Sequence, residues 1–409
     1  MLESSPLPFW PVLAAALGVL LPWGAAFVAS DEARAVPSGL MALIAWLITL
    51  LGMAATGFAL AYGGIGIPID HPDLAALVWE WTPLREGELA FWGVAGWMGF
   101  GMHGAQTPLA AWLFLASLPG VATAAVLTMA ALWQRLLPLM SVILASMIAF
   151  FLAPLTINWT QGGGWLMHLG RSVGAGEGFI DAGGAAFFLL PGGAALAALF
   201  IPRRRIEDVE NGVGPGLGAG LLLAGGAAWL IASPLPLWSP LTPLQALLNA
   251  FLAAAAGGLI GLAYGWVVHR YPAVTWMTRG TAAGFIASLA PLQLIQPMQA
   301  MLVGAMAAWL YILVNYLLIE LLHRDDPGDV FSAFGLAALW GVLAVGFFAH
   351  APGQMRAQLI GGVSILLMGF LAVFLLQFPL ALVRSWRTRR ARPLAGGLSA
   401  PAAEETGPN

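Results

Sequence analysis

The chain is built from long apolar stretches that are separated by short polar connections. Many of these stretches exceed about 18 residues, the length that an α-helix needs to cross the hydrocarbon core of a bilayer. The strict alternation that marks membrane β-barrel strands is absent from the sequence. The pattern predicts eleven transmembrane helices, with these bounds: Phe9–Ala29, Gly39–Tyr62, Pro108–Leu132, Leu136–Leu155, Ile180–Ile201, Gly214–Ala232, Ala246–Val268, Trp276–Ile295, Pro297–Leu322, Val330–His350 and Gln358–Val383.

One apolar stretch does not fit a simple span. Glu88–Gly104 is rich in Gly and Trp, and it lies between the second and third predicted spans. Trp is enriched at membrane interfaces, and non-helical backbone at membrane depth needs protein or water around it. We therefore expect an interfacial or re-entrant segment before the third span.

The composition agrees with a membrane protein. Of the 409 residues, 60% are hydrophobic and 9% are charged, whereas soluble domains have about 25% charged residues. The sequence shows no soluble domain, no nucleotide motif and no convergent set of acid, base and nucleophile. The lipid bilayer is the expected partner. Enzyme activity, a cofactor and a nucleic-acid partner are not predicted.

A metal site is not predicted either. The chain contains no Cys and six His, and a zinc site needs several converging ligands. The histidines fall in loops or at span ends, without a spacing that brings ligands together: His71, His103, His168, His269, His323 and His350.

The distribution of Arg predicts the orientation of the spans. All 16 basic residues are Arg, and basic residues concentrate in cytoplasmic loops. With the N-terminus outside, Arg85, Arg171 and Arg356 fall in outer loops and the other 13 lie inside. The residues before Phe9 carry no Arg, which favours a retained first span over a signal peptide. We expect a multi-pass protein of a bacterial inner membrane, N-out and C-in, with a disordered cytoplasmic tail at residues 396–409.

Two segments of the chain begin in the same way. Asp325–Ala349 and Asp181–Phe200 both place acidic residues before an apolar run that is rich in Gly, Ala and aromatic residues. Similar segments in the two halves of a polytopic protein indicate an internal repeat, with the functional path between the halves.

The acids in these two segments are interpreted as structural. Carboxylates favour a helix N-terminus, where free N–H groups and the helix dipole attract negative charge. Asp181 is predicted to cap its helix, although it could instead attract a cation or hold an outer vestibule. Asp326 and Asp329 are predicted to cap the later helix, with His323 and Arg324 as ionic partners at the inner face.

Several motifs resemble the ammonium transporter family (Amt/Mep/Rh). They are GGGWL at Gly162–Leu166, DAGG at Asp181–Gly184, NAFLAAAAGG at Asn249–Gly258, GTAAGFIASLAP at Gly280–Pro291 and the whole of Asp325–Ala349. The resemblance implies an all-α polytopic membrane domain at residues 1–395. Two inverted five-helix halves, about residues 9–201 and 214–350, would be followed by a last helix at 358–383. It also implies a homotrimer in which each protomer holds its own narrow pore.

The chain departs from this family at mid-membrane. The family carries a pair of histidines there, one on the fifth span and one on the tenth. The corresponding positions are Phe188 and Phe334 here, with Phe187 as the alternative for the first.

The outer vestibule differs as well. The family's aromatic gate aligns near Gly120, its Trp aligns with Gln161, and its Ser corresponds to Ser233. A cation–π site for ammonium would therefore lack its rings.

These departures change the expected chemistry. Histidine offers hydrogen-bond donors and acceptors, and Phe offers neither. An ammonium ion in an apolar tube would lose its hydration without compensation. One hypothesis is a channel-like protein that passes neutral ammonia or another small gas such as carbon dioxide. The alternatives are a non-conducting structural or accessory subunit of a larger membrane complex, and a ligand sensor.

Overall fold

The computed structural model describes the chain in six segments, residues 9–30, 38–83, 92–133, 135–201, 214–233 and 242–390. These segments form a helical bundle. Its main helices are α1 (Phe9–Leu17), α2 (Leu20–Val28), α3 (Ser38–Tyr62), α4 (Pro108–Leu132), α5 (Pro138–Thr160), α6 (Ala186–Ala198), α7 (Pro215–Ala232), α8 (Pro243–His269), α9 (Val274–Leu289), α10 (Pro297–Leu321), α11 (Pro327–Phe348) and α12 (Gln354–Arg390).

These helices correspond to the eleven predicted spans, because α1 and α2 together form the first one. Within the described segments, eight helices are long and apolar enough to cross a membrane. The other three spans are the shorter α1–α2 pair, α6 and α9. The prediction of an all-α polytopic membrane protein is confirmed, and α4 begins and ends at the predicted residues. The predicted tail at residues 396–409 lies outside the described residues.

Two spans differ from their predicted form for local reasons. The fifth span was predicted to begin at Ile180, but α6 begins at Ala186. The reason is that the Asp181 side chain accepts hydrogen bonds from the backbone N–H groups of residues 184 and 185. The first is interrupted at Gly18, where an added Cβ would lie 2.6 Å from the ring of Pro119. Glycine at this position therefore allows the first span to lie against α4.

The Gly- and Trp-rich segment before α4 forms an extended hairpin where the structure describes it. β1 (Glu80–Trp81) pairs antiparallel with β2 (Ala95–Gly96), and Glu80 lies opposite Gly96. An added Cβ on Gly96 would lie 2.3 Å from the carbonyl oxygen of Ala59. The hairpin therefore rests directly on the end of α3.

Neighbouring π-turns link α3 to α5. The turns are Met53–Gly57 in α3 and Ile148–Leu152 in α5. The Thr56 hydroxyl donates a hydrogen bond to the carbonyl oxygen of Phe150 at 2.9 Å. In a bilayer, backbone groups need partners within the protein, and this bond provides one across the helix interface.

A buried ion pair joins four helices at the predicted inner end of the bundle. Arg279 of α9 and Asp329 of α11 form it, with an N–O distance of 2.7 Å. Tyr311 and Asn315 of α10 donate to the same carboxylate, each at 2.9 Å. The Arg279 Nε also donates to the carbonyl oxygen of Val28 in α2 at 3.4 Å. The ion pair of Arg279 and Asp329 therefore holds α2, α9, α10 and α11 together.

Nearby basic residues bind backbone carbonyl groups. Arg324 was predicted to be an ionic partner of Asp326 and Asp329, which are close to it in the sequence. In the structure it donates to the carbonyl oxygen of Leu199 at 3.2 Å. Arg135 is buried and donates to the carbonyl oxygens of Ile201 and Asp325. Leu199 and Ile201 follow α6, and Asp325 precedes α11. Arg135 and Arg324 therefore bring the predicted inner ends of these two helices together.

Removing one partner of the buried ion pair should be more damaging than removing both. Arg279→Met leaves Asp329 buried without its cation, and such a change typically costs about 3–5 kcal/mol. The double variant Arg279→Met/Asp329→Asn removes the uncompensated charge and should recover part of that stability. Thermal unfolding of the purified protein measures the effect, with Arg356→Met, a change at an exposed arginine outside this network, as the matched control. A double variant less stable than Arg279→Met would contradict this account.

Candidate pore and outer vestibule

Phe188 and Phe334 lie on two helices that touch backbone to backbone. Phe188 is in the first turn of α6, and Phe334 is in the π-turn Val330–Gly335 of α11. An added Cβ on Gly192 would lie 2.4 Å from the Cα of Gly335, and a Cβ on Gly335 would lie equally close to Gly192. Gly192 follows Phe188 by one helical turn, so both phenylalanines lie close to the crossing point of the helices.

Both rings are completely buried. Phe188 and Phe334 each have 0% of their surface exposed, whereas Phe187 has 4%. An exposure of zero leaves no space for a water molecule beside either ring. Phe285 of α9 is equally buried. The middle of the bundle at these positions is therefore close-packed, like the interior of a soluble protein.

The same kind of cap precedes both phenylalanines. The Asp181 carboxylate accepts hydrogen bonds from the N–H groups of residues 184–186, at 3.1, 2.8 and 2.8 Å. The Asp326 carboxylate accepts from the N–H groups of Phe331 and Ser332, at 3.2 and 2.8 Å, and from the Ser332 hydroxyl at 2.8 Å. Each acid is buried and bound to its own segment, as a helix-capping role requires.

The residues predicted for the outer vestibule lie together. Gln161 at the end of α5 and Ser233 at the end of α7 line a cavity of about 10 Å³, which is enough for about one water molecule. Gly120 of α4 lies beside this cavity, since an added Cβ would come within 2.9 Å of Phe187 and Trp229. The lining residues are Tyr62, Ala116, Ser117, Gln161, Gly183, Phe187, Trp229 and Ser233.

Trp229 also lines this cavity, although the sequence pattern did not mark it as a vestibule residue. Its Nε1 donates to the carbonyl oxygen of Ala116 at 2.8 Å, and its ring meets Phe187 edge-to-face at 5.6 Å. Added Cβ atoms on Gly120 and Gly184 would lie 2.9 and 2.6 Å from the indole. The two glycines therefore make room for the ring. Trp229 lies one helical turn before Ser233, and this spacing could have identified it from the sequence as a vestibule residue.

The cavity offers hydrogen bonds without charge. Tyr62, Ser117, Gln161 and Ser233 bring hydroxyl and amide groups, and none of the described residues that line the cavity is charged. The indole N–H of Trp229 is already bonded to the backbone. No group of three or more His, Cys, Asp or Glu that could hold a metal is found in the described segments. The vestibule is therefore suited to a very small neutral molecule.

Comparisons of the sequence with known proteins agree with one another. The sequence model of the Ammonium Transporter Family matches residues 9–388. A protein of Synechocystis sp., provisionally named an ammonium transporter, is 29% identical over 323 residues, which are 74% of this chain and 70% of that protein. Ammonium transporter Amt2 of Archaeoglobus fulgidus is 28% identical over 307 residues, which are 71% of this chain and 64% of Amt2.

Solved structures share the fold. The protein named "Sensor Amt Protein" superimposes with a TM-score of 0.71 at 19% identity, over 96% of this chain and 98% of that chain. Mep2 of Saccharomyces cerevisiae gives a TM-score of 0.71 at 17% identity, over 91% of this chain and 87% of that chain. At these identities the likeness concerns the fold alone.

The chain contains no Cys, so single introduced cysteines report accessibility without background. Ser233→Cys should react with methyl methanethiosulfonate, because Ser233 lines the vestibule. Phe188→Cys should react orders of magnitude more slowly, because the side chain at position 188 is completely buried. Adding Trp229→Ala should accelerate the reaction at position 188. Mass spectrometry of the adduct over time measures the rates. Fast labelling of Phe188→Cys with Trp229 in place would contradict this arrangement.

Proposed function

Because this chain belongs to the ammonium transporter family, we propose that it is a channel-like member whose central path excludes the ammonium ion. The path would admit only small neutral molecules such as ammonia or carbon dioxide. One observation supports this proposal: Phe188 and Phe334, which the resemblance aligns with the family's two mid-membrane histidines, have no exposed surface.

The proposed selectivity follows from the cost of losing water. Even on insertion scales, a charged side chain at the bilayer centre costs about 2.5–3.5 kcal/mol. Neither phenyl ring can replace the hydrogen bonds that an ammonium ion gives up. Neutral ammonia carries no charge to desolvate, so a brief separation of the two rings is enough for it to pass.

The arrangement in the membrane is also part of the proposal. We propose an N-out and C-in protein of a bacterial inner membrane, which the distribution of Arg supports. We further propose a homotrimer of membrane domains, each at residues 1–395 with inverted halves at 9–201 and 214–350 and a last helix at 358–383. The two similarly capped helices, α6 and α11, support the repeat.

A non-conducting accessory subunit or a ligand sensor is the second candidate. Trp79, Trp81 and Trp97 are 43%, 47% and 53% exposed on and around the hairpin, and exposed aromatic surface is suited to docking another membrane protein. One protein with the same fold carries the name "Sensor Amt Protein". None of these functions requires a catalytic residue.

Flux in proteoliposomes tests the proposed channel. An ammonium gradient should give no current above empty vesicles, while ammonia or methylamine should equilibrate faster than in empty vesicles, as a pH-sensitive dye reports. The double variant Phe188→His/Phe334→His should gain ammonium current, because imidazoles supply hydrogen-bond partners and a proton route. Phe285→His, at an equally buried position, is the matched control and should stay silent.

The possible results separate the two candidates. Neutral flux at the level of empty vesicles, together with conduction by the double variant, would assign the natural protein to the second candidate. An ammonium current through the unmodified protein would refute the exclusion of the ion.

A further inference from the structure

Another cavity lies at the predicted outer end of the bundle, where α8 and α10 begin. Its volume is about 330 Å³, and small-molecule sites have volumes of about 300–1,000 Å³. Four of its lining residues carry carboxamide side chains, namely Gln245, Asn249, Gln293 and Gln296. None of these residues lines the vestibule, so this cavity is a separate place for a ligand.

Asn249 is the buried member of this group, with 4% of its surface exposed. Its Nδ2 donates to the carbonyl oxygens of Ile295 at 2.9 Å and Leu292 at 3.4 Å. Because a carbonyl oxygen can only accept, these two bonds fix the orientation of the amide and turn its Oδ1 away from them. The Oδ1 accepts no hydrogen bond in the described segments, although buried polar atoms nearly always have a partner. It is therefore left for a donor in the cavity.

The glutamines around Asn249 offer donors. The Thr242 hydroxyl donates to the Oε1 of Gln245 at 3.2 Å, and the Gln296 side chain accepts from the N–H of Gln299 in the capping box of α10. The side-chain NH₂ groups of these two lining glutamines therefore remain available. Gln293 is half-buried, and its side chain makes no hydrogen bond in the part of the chain that the structure describes.

This set of groups matches a neutral ligand with several hydroxyl groups. A hydroxyl both donates and accepts, so neighbouring hydroxyls satisfy the Asn249 Oδ1 and the glutamine amides together. None of the described residues that line the cavity is charged, so a charged ligand would lose hydration without an ionic partner. Leu248, Ile295 and Pro297 complete the lining and provide apolar surface for the C–H groups of a sugar ring.

Exposed apolar side chains continue from this cavity along both helices. Leu244 and Leu248 of α8 are 79% and 50% exposed, and Met298 and Leu302 of α10 are 67% and 63% exposed. Residues four positions apart share one face of a helix, and these lie in the first turns of two membrane-spanning helices. In a bilayer the two faces contact lipid chains, which favours a ligand that carries acyl chains of its own.

We propose that this cavity binds the sugar headgroup of a neutral glycolipid. The Asn249 Oδ1 accepts from one sugar hydroxyl, and the side-chain amides of Gln293 and Gln296 donate to others. The acyl chains lie along the exposed faces of α8 and α10. The site is separate from the central path, so it does not depend on whether that path conducts.

Native mass spectrometry of the purified full-length protein tests this site, in tetraethylene glycol monooctyl ether, a detergent without a sugar. A monoglucosyl diacylglycerol should bind about ten-fold tighter or more than diacylglycerol with the same chains, because only the sugar offers several hydroxyls to the carboxamides. Gln293→Ala should remove most of this preference, since its hydrogen bonds to the sugar are lost. Gln106→Ala, at an exposed glutamine that does not line the cavity, is the matched control and should bind like the natural protein.

A second variant tests the space and leaves the carboxamides in place. Leu248→Trp adds a large ring at an exposed position on the cavity wall, so it should also weaken binding of the glucosyl lipid. Equal binding of the two lipids by the natural protein, or unchanged binding in both variants, would overturn the proposal and assign the cavity to water. Free glucose that binds as tightly as the glucosyl lipid would overturn the glycolipid in favour of a soluble sugar. All of these outcomes are independent of the flux results.

Discussion

The backbone contact between α6 and α11 is the constraint on which the middle of this protein depends. At Gly192 and Gly335 the two helices are so close that any side chain would separate them. Phe188 and Phe334 lie close to this crossing, and both side chains are completely buried. Asp181 and Asp326 cap the N-termini of these two helices, and each cap fixes the position of the phenylalanine that follows it. The close packing at the middle of the bundle therefore depends on Gly192 and Gly335 as much as on the two phenylalanines.

In the described segments, the buried charged residues lie towards the ends of the helices. At the predicted inner end, the Asp329 carboxylate binds Arg279 and joins four helices. At the other end, Asp181 caps α6, and Glu80 of the hairpin accepts a hydrogen bond from Asn158 of α5. A charge is costly at the bilayer centre and much less so near the interface. This distribution places the buried charges where they cost least, which stabilises the fold.

The sequence predicts those features that depend on local pattern. The bounds of Pro108–Leu132 follow from a run of apolar residues, and the capping by Asp181 follows from residues three to five positions away. Other features join residues that are far apart in the chain. Glu80 and Asn158 are separated by 78 positions, and the Trp229 indole binds a carbonyl group 113 positions away. Hydropathy and residue spacing do not reveal such contacts, because the contacts form only when the helices pack together.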